Sequence, residues 1–117
     1  MVNLPTIEIP RSMLQVLNNL YEIERKLEVH GDPGNAKRNV ERIKDAFKEQ
    51  GLFYEDPLGQ PFKETRTDLE ATISGTGTED LVVAEVIKPV IRAGQAEFSK
   101  VVQKGIVVVQ SSDGERA

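Results

Sequence analysis

The chain reads as an α+β protein: an antiparallel helical hairpin, shaped to form a four-helix bundle on dimerisation, followed by a small all-β domain. Three observations predict this. Apolar residues recur at helical spacing from Ser12 to Phe47, and a dense cluster of breakers interrupts them at residues 30–35. Beyond Gly51 the apolar residues become β-branched and are separated by turn sequences. The division that follows is an extended arm over residues 1–11, a hairpin over 12–51, a β domain over 52–110 and a polar tail over 111–117, expected to be disordered.

In the arm, Pro5 and Pro10 exclude a helix interior, and Ile7 and Ile9 fall on one side of an extended segment with Glu8 on the other. Ser12 and Gln15 have the spacing of a capping box. Met13, Val16, Leu20, Ile23 and Leu27 then follow at steps of three and four, with Leu14 and Leu17 widening the stripe, which predicts a helix from Ser12 to Val29. The run His30-Gly31-Asp32-Pro33-Gly34-Asn35 is a turn. A second helix is predicted from Asn35 to a left-handed Gly51, with Ala36, Val40, Ile43 and Phe47 as its stripe. Leu52–Tyr54 and Thr67–Ile73 read as short strands, and Leu81–Ile91 and Lys100–Gln110 as the two long central ones.

Two helices joined by a short connector leave one wide apolar face. Burying a large aliphatic side chain fully is worth roughly 1.5–3 kcal/mol, so Met13, Val16, Leu17, Leu20, Ile23, Leu27, Val40, Ile43 and Phe47 together demand a cover. Either the β part folds back over this face, or two hairpins meet as a bundle. The β segment needs its own alternating residues for a sandwich or barrel, which favours the homodimer with those nine residues at its interface.

Composition narrows the function classes. With 15 basic and 19 acidic residues the net charge is -4, the wrong sign for a nucleic-acid backbone binder. No apolar run is long enough to span a bilayer, and the N-terminus has no basic-then-apolar leader pattern. The absence of cysteine excludes disulfides, thiolate metal sites and cysteine nucleophiles, and suits a cytoplasmic location.

Candidate chemistry is sparse. His30 is the one histidine, and it reads as a helix-end residue meeting the last carbonyls. Glu55, Asp56, Glu64, Asp68 and Glu70 could supply paired carboxylates for acid–base work or a hard metal, but scattered over a turn and a strand they read as solvated surface. Gly75-Thr76-Gly77 lacks the third glycine and the lysine of a phosphate loop. The sequence therefore points to no catalytic residue, cofactor or metal. Lys88, Pro89, Arg92, Lys100, Gln103 and Lys104 gather at the ends of the two long strands as a basic patch on an acidic chain. Two readings stand: strand-end protection, or an electrostatic contact with an acidic partner face.

The order of parts resembles the GrpE nucleotide-exchange factors. Leu14-Gln15-Val16-Leu17-Asn18-Asn19-Leu20 is similar to the signature that opens that family's bundle. Residues 47–62, FKEQGLFYEDPLGQPF, resemble the segment through which the family leaves its second short helix and enters Pro-Leu-Gly-x-Pro-Phe. Asp68-Leu69-Glu70-Ala71 is similar to a short His-Glu-Ala-Val strand, with Leu69 in the histidine's place, and the Val-rich runs 82–91 and 101–109 to the two closing strands of the β-wing. The chain departs from the family in lacking the long paired N-terminal helix and in a longer connection between the last two strands. The resemblance implies a homodimeric co-chaperone whose wing presses on the nucleotide-binding domain of a DnaK-type chaperone. Preferring the open conformer, it would speed ADP release without chemistry of its own.

Overall fold

The computed structural model describes residues 8–95 and 97–112. Residues 1–7 of the expected arm and 113–117 of the expected tail lie outside them. The class is α+β: α1 (Arg11–His30) and α2 (Lys37–Glu49) are followed by β1 (Leu52–Glu55), β2 (Leu69–Ile73), β3 (Leu81–Lys88), β4 (Val90–Ala93), β5 (Lys100–Gln103) and β6 (Gly105–Ser111). No helix among the described residues is long and apolar enough to cross a membrane.

The helix ends form differently from the sequence expectation. Pro10 is the N-cap of α1, and its carbonyl accepts from the amides of Met13 at 3.0 Å and Leu14 at 3.4 Å. Ser12 lies inside the first turn, and no side chain caps that end, so the capping box is not formed. Pro10 sits at the boundary with an extended ψ of 137°, a conformation open to proline ahead of a helix, and the helix starts one residue before Ser12. The far end is closed by the Gly31 amide on the Leu27 carbonyl at 2.9 Å, a backbone cap in the place assigned to His30. α2 begins at Lys37, two residues after the expected start at Asn35, and Asp32 serves its first amides from the preceding turn. The Asp32 carboxylate accepts from the amides of Ala36 at 2.6 Å and Lys37 at 2.9 Å, placing negative charge at the positive end of the helix. Gly51 follows α2 at φ +79°, the left-handed conformation expected of it.

The strands form two three-stranded sheets, β1-β4-β5 and β2-β6-β3. In the first, β4 pairs antiparallel with both neighbours; in the second, β6 lies between parallel β2 and antiparallel β3. The two long strands expected from sequence are each broken in two, at Pro89 and at Lys104. The pairs on either side of the break keep one offset, Ile91 facing Gln103 in one sheet and Lys88 facing Ile106 in the other, and the register shifts lie just outside them, between Ile91 and Arg92 and between Val86 and Lys88. One hairpin thus kinks and passes from sheet to sheet. Pro89 has no amide to lose where the ladder switches. Gly105 admits the close approach beside it, since a Cβ there would lie 2.8 Å from Leu69 Cδ2 and 3.0 Å from Val90 Cγ2.

Two cores result. Leu17, Leu20 and Tyr21 of α1 and Val40 of α2 are buried with Leu52 and Tyr54 of β1 and Ile91 and Ala93 of β4, and Ile9 packs on this cluster. Leu69, Val83, Val90, Val107 and Val109 make the second. The helices therefore lie on the first sheet, and one apolar cluster spans the expected boundary at residue 51. Ser111, placed in the tail by the sequence division, is the last residue of β6 and is buried. The turn Asp56–Gln60 is tied to β3 through Gly59 N–H to the Val83 carbonyl and Val83 N–H to the Gln60 carbonyl, both 2.9 Å.

Candidate functional site

The nine residues expected at a dimer interface divide into three groups. Leu17, Leu20 and Val40 are 1%, 5% and 4% exposed, so their surface is already used within the chain. Met13, Leu27 and Phe47 are half-buried at the edge of the same cluster. Val16, Ile23 and Ile43 remain 44%, 45% and 42% exposed.

Helical phase shows where that last group points. At about 100° per residue, Val16 and Ile23 lie roughly 100–120° round α1 from Leu17. The opposite flank carries Asn18 and Tyr21, which bond to the β region. On α2, Glu41, Lys44 and Lys48 line a cleft of about 240 Å³ with Phe53 and Tyr54 of β1, so that flank faces the sheet. Ile43 lies about 100° from Lys44, on the other side of Val40. α1 thus turns Val16 and Ile23, and α2 turns Ile43, away from the sheet. The stripe read from sequence is wider than the surface the sheet can cover.

The seam between α1 and the strands is polar and specific. The Asn18 and Gln103 side-chain amides donate to each other at 3.0 and 2.8 Å, and Gln103 Nε2 also donates to the Pro89 carbonyl at 3.0 Å. Tyr21 Oη donates to Asp56 Oδ1 at 3.1 Å, and its ring meets that of Tyr54 edge-on at 5.7 Å. Glu24 accepts from Tyr54 Oη at 2.9 Å and from Lys44 Nζ at 3.1 Å, and the ammonium also sits 4.8 Å from the Tyr54 ring centroid. Burial works against the charged form of Glu24, but the hydrogen bonds from Lys44 and Tyr54 outweigh it and hold the carboxyl below its usual range. Burial and the neighbouring carboxylates push both tyrosines well above theirs.

A second polar group straddles the two sheets. Arg66 forms a two-pronged pair with Asp68 at 2.8 and 3.1 Å, and Arg92 binds Glu55 at 2.6 Å while lying 3.8 Å from Asp68. The hydrogen bond from Arg66 depresses the Asp68 carboxyl and raises the guanidinium in turn. These groups line a shallow cleft of about 260 Å³ with Gln60 and Pro57.

Comparison with family models, curated proteins and solved structures finds no match to this chain.

The six residues of the basic patch do not share one role. Pro89 is fully buried and its carbonyl is taken by Gln103. Gln103 is committed to Asn18, and Arg92 to Glu55 and Asp68. Lys88, Lys100 and Lys104 alone are exposed cations. Three of the residues singled out for a partner thus hold the protein together, and of the carboxylates, Glu55, Asp56 and Asp68 are bonded to named partners while Glu64 and Glu70 are exposed. Among the described residues no group of three or more metal-capable side chains converges. Sequence reading missed Asn18, Tyr21, Glu24 and Arg66. Asn18 and Glu24 carried one available signal, as polar residues beside the apolar stripe of α1.

Proposed function

We propose that this chain is a homodimeric, non-catalytic binding protein of the GrpE type. In this reading α1 and α2 form an antiparallel hairpin, two hairpins make a four-helix bundle, and the β region grips the nucleotide-binding domain of a DnaK-type chaperone. Binding the open conformer of that domain more tightly than the closed one converts affinity into ADP release. A cytoplasmic location goes with that role.

The observation that carries the reading is the partial exposure of Val16, Ile23 and Ile43, aliphatic side chains on the flanks of the helices turned away from the sheet. A second copy related by a two-fold axis would present the same side chains and cover them. Release of a fluorescent ADP analogue from a DnaK-type chaperone tests the proposal. Acceleration that saturates with added protein is expected, and an unchanged rate at saturating protein rejects it.

One observation favours a second reading, a dimeric adaptor with the same architecture and another partner. Pro89, Arg92 and Gln103, half of the residues expected to meet a chaperone, are held inside the structure. A chaperone domain that fails to bind, while the dimer persists, selects this alternative.

A further inference from the structure

Asn18, Tyr21 and Glu24 are spaced three residues apart, about one turn each, along the sheet-facing flank of α1. Each reaches a different part of the β region. Asn18 holds Gln103 of β5, which in turn holds the Pro89 carbonyl at the kink between sheets. Tyr21 holds Asp56, whose Oδ1 also accepts the Leu58 amide at 3.0 Å and so fixes the turn bonded to β3. Glu24 holds Tyr54 of β1 and, through Lys44, α2.

We infer that these three contacts act as a strut that makes both helices and both sheets one rigid body. Apolar packing alone is non-directional and lets a helix slide or roll on a sheet. Hydrogen bonds lose strength steeply when misaligned, so these three contacts, anchored in β1, β5 and the turn on β3, oppose both motions. No buried side-chain nitrogen or oxygen among the described residues is left without a partner, so the seam gains nothing by loosening. The ion group of Glu55, Arg92 and Asp68 does the same work between the sheets, since Glu55 and Arg92 belong to the first and Asp68 leads into β2 of the second. A partner held by either sheet is thereby fixed in orientation relative to whatever covers Val16, Ile23 and Ile43. This goes beyond the co-chaperone reading and stands or falls separately from it.

Native-state hydrogen exchange on the full chain tests the strut. In the unmodified protein the slowest amides of α1, α2, β4 and β6 are expected to show protection within about tenfold of one another, as one cooperative unit does. Helical amides exchanging more than about tenfold faster than those of β6 would overturn the inference. In the double variant Tyr54→Phe, Gln103→Leu the helical amides should lose at least threefold more protection than β6 does; an unchanged ratio also overturns it. Asn18→Ala, at a half-buried position, gives the same readout if the double variant fails to fold. Failure of the unmodified protein to speed ADP release, with the exchange pattern as expected in it and in the variant, would count against the co-chaperone reading alone.

Discussion

If the proposed homodimer forms through Val16, Ile23 and Ile43, replacing Ile23 and Ile43 together by serine should turn it into a monomer. Covering a large aliphatic side chain completely is worth about 1.5–3 kcal/mol. Ile23 and Ile43 are 45% and 42% exposed in the single chain, so covering the remainder contributes roughly 0.6–1.3 kcal/mol each. A symmetric interface counts every residue twice, which gives about 2.5–5 kcal/mol for the pair. That loss raises the dimer Kd by roughly 60- to 5,000-fold. The portion of each side chain already packed within the chain contributes around 1 kcal/mol to folding, so the variant should also unfold at lower urea while keeping its far-ultraviolet spectrum. Sedimentation velocity over a dilution series reads the outcome directly. A native chain that stays monomeric up to about 200 µM, a Kd limit near -5 kcal/mol, refutes the interface; so does a variant whose Kd moves less than threefold.

Two further outcomes follow from the polar groups. Arg92→Glu places a third carboxylate beside Glu55 and Asp68 and removes the cation that joins them, so it should cost about 2–4 kcal/mol in urea unfolding, with part of the loss recovered in 1 M salt; a change below about 0.5 kcal/mol would mean the bridge carries no load. Glu24 and Asp68 both have carboxyls depressed in the folded state, so the stability they contribute is fully present above the ordinary carboxylate range near pH 4 and is lost as pH falls through their lower folded values. Urea midpoints measured from pH 6 down to 2 should therefore drop below about pH 4, and Glu24→Gln should flatten that drop; an equally steep profile in the variant removes Glu24 from the account.

The apolar pattern made the elements legible and left their partners open. The stripe from Met13 to Leu27 and the breaker run at residues 30–35 give α1 and the connector almost to the residue. The Val-rich runs give strands, because β-branched residues on a pleated surface leave few alternatives. What stayed hidden depends on contacts distant in the chain. Asn18 and Gln103 are 85 residues apart, and nothing in either neighbourhood marks the pair. Asp32 serves the first amides of α2 from four and five residues back, where Asn35 adopts φ +57° and the chain turns back on the carboxylate. The width of the helical stripe suggested a single face with a single cover. In the structure the sheet takes the centre of that face, through Leu17, Leu20 and Val40, and leaves its margin.

The basic patch shows why a joint can resemble a binding site. A strand that must change sheets interrupts its own ladder, and the carbonyls freed there need donors from elsewhere. Polar and conformationally special residues therefore gather at the break, as they do where a partner binds. Pro89, Gln103 and Lys104 fit that description. Pro89 supplies a residue with no amide to orphan, and its freed carbonyl is met by Gln103, which α1 holds in place through Asn18. Arg92, three residues on, ties the sheets together through Glu55 and Asp68. The pairs Lys88–Ile106 and Ile91–Gln103 keep one offset across the kink, with the register shifts set just outside it, as in one hairpin bent at this point and bulged on either side. The exposed cations Lys88, Lys100 and Lys104 are what remains for an acidic partner, and they stand on the same hairpin that the helix holds rigid.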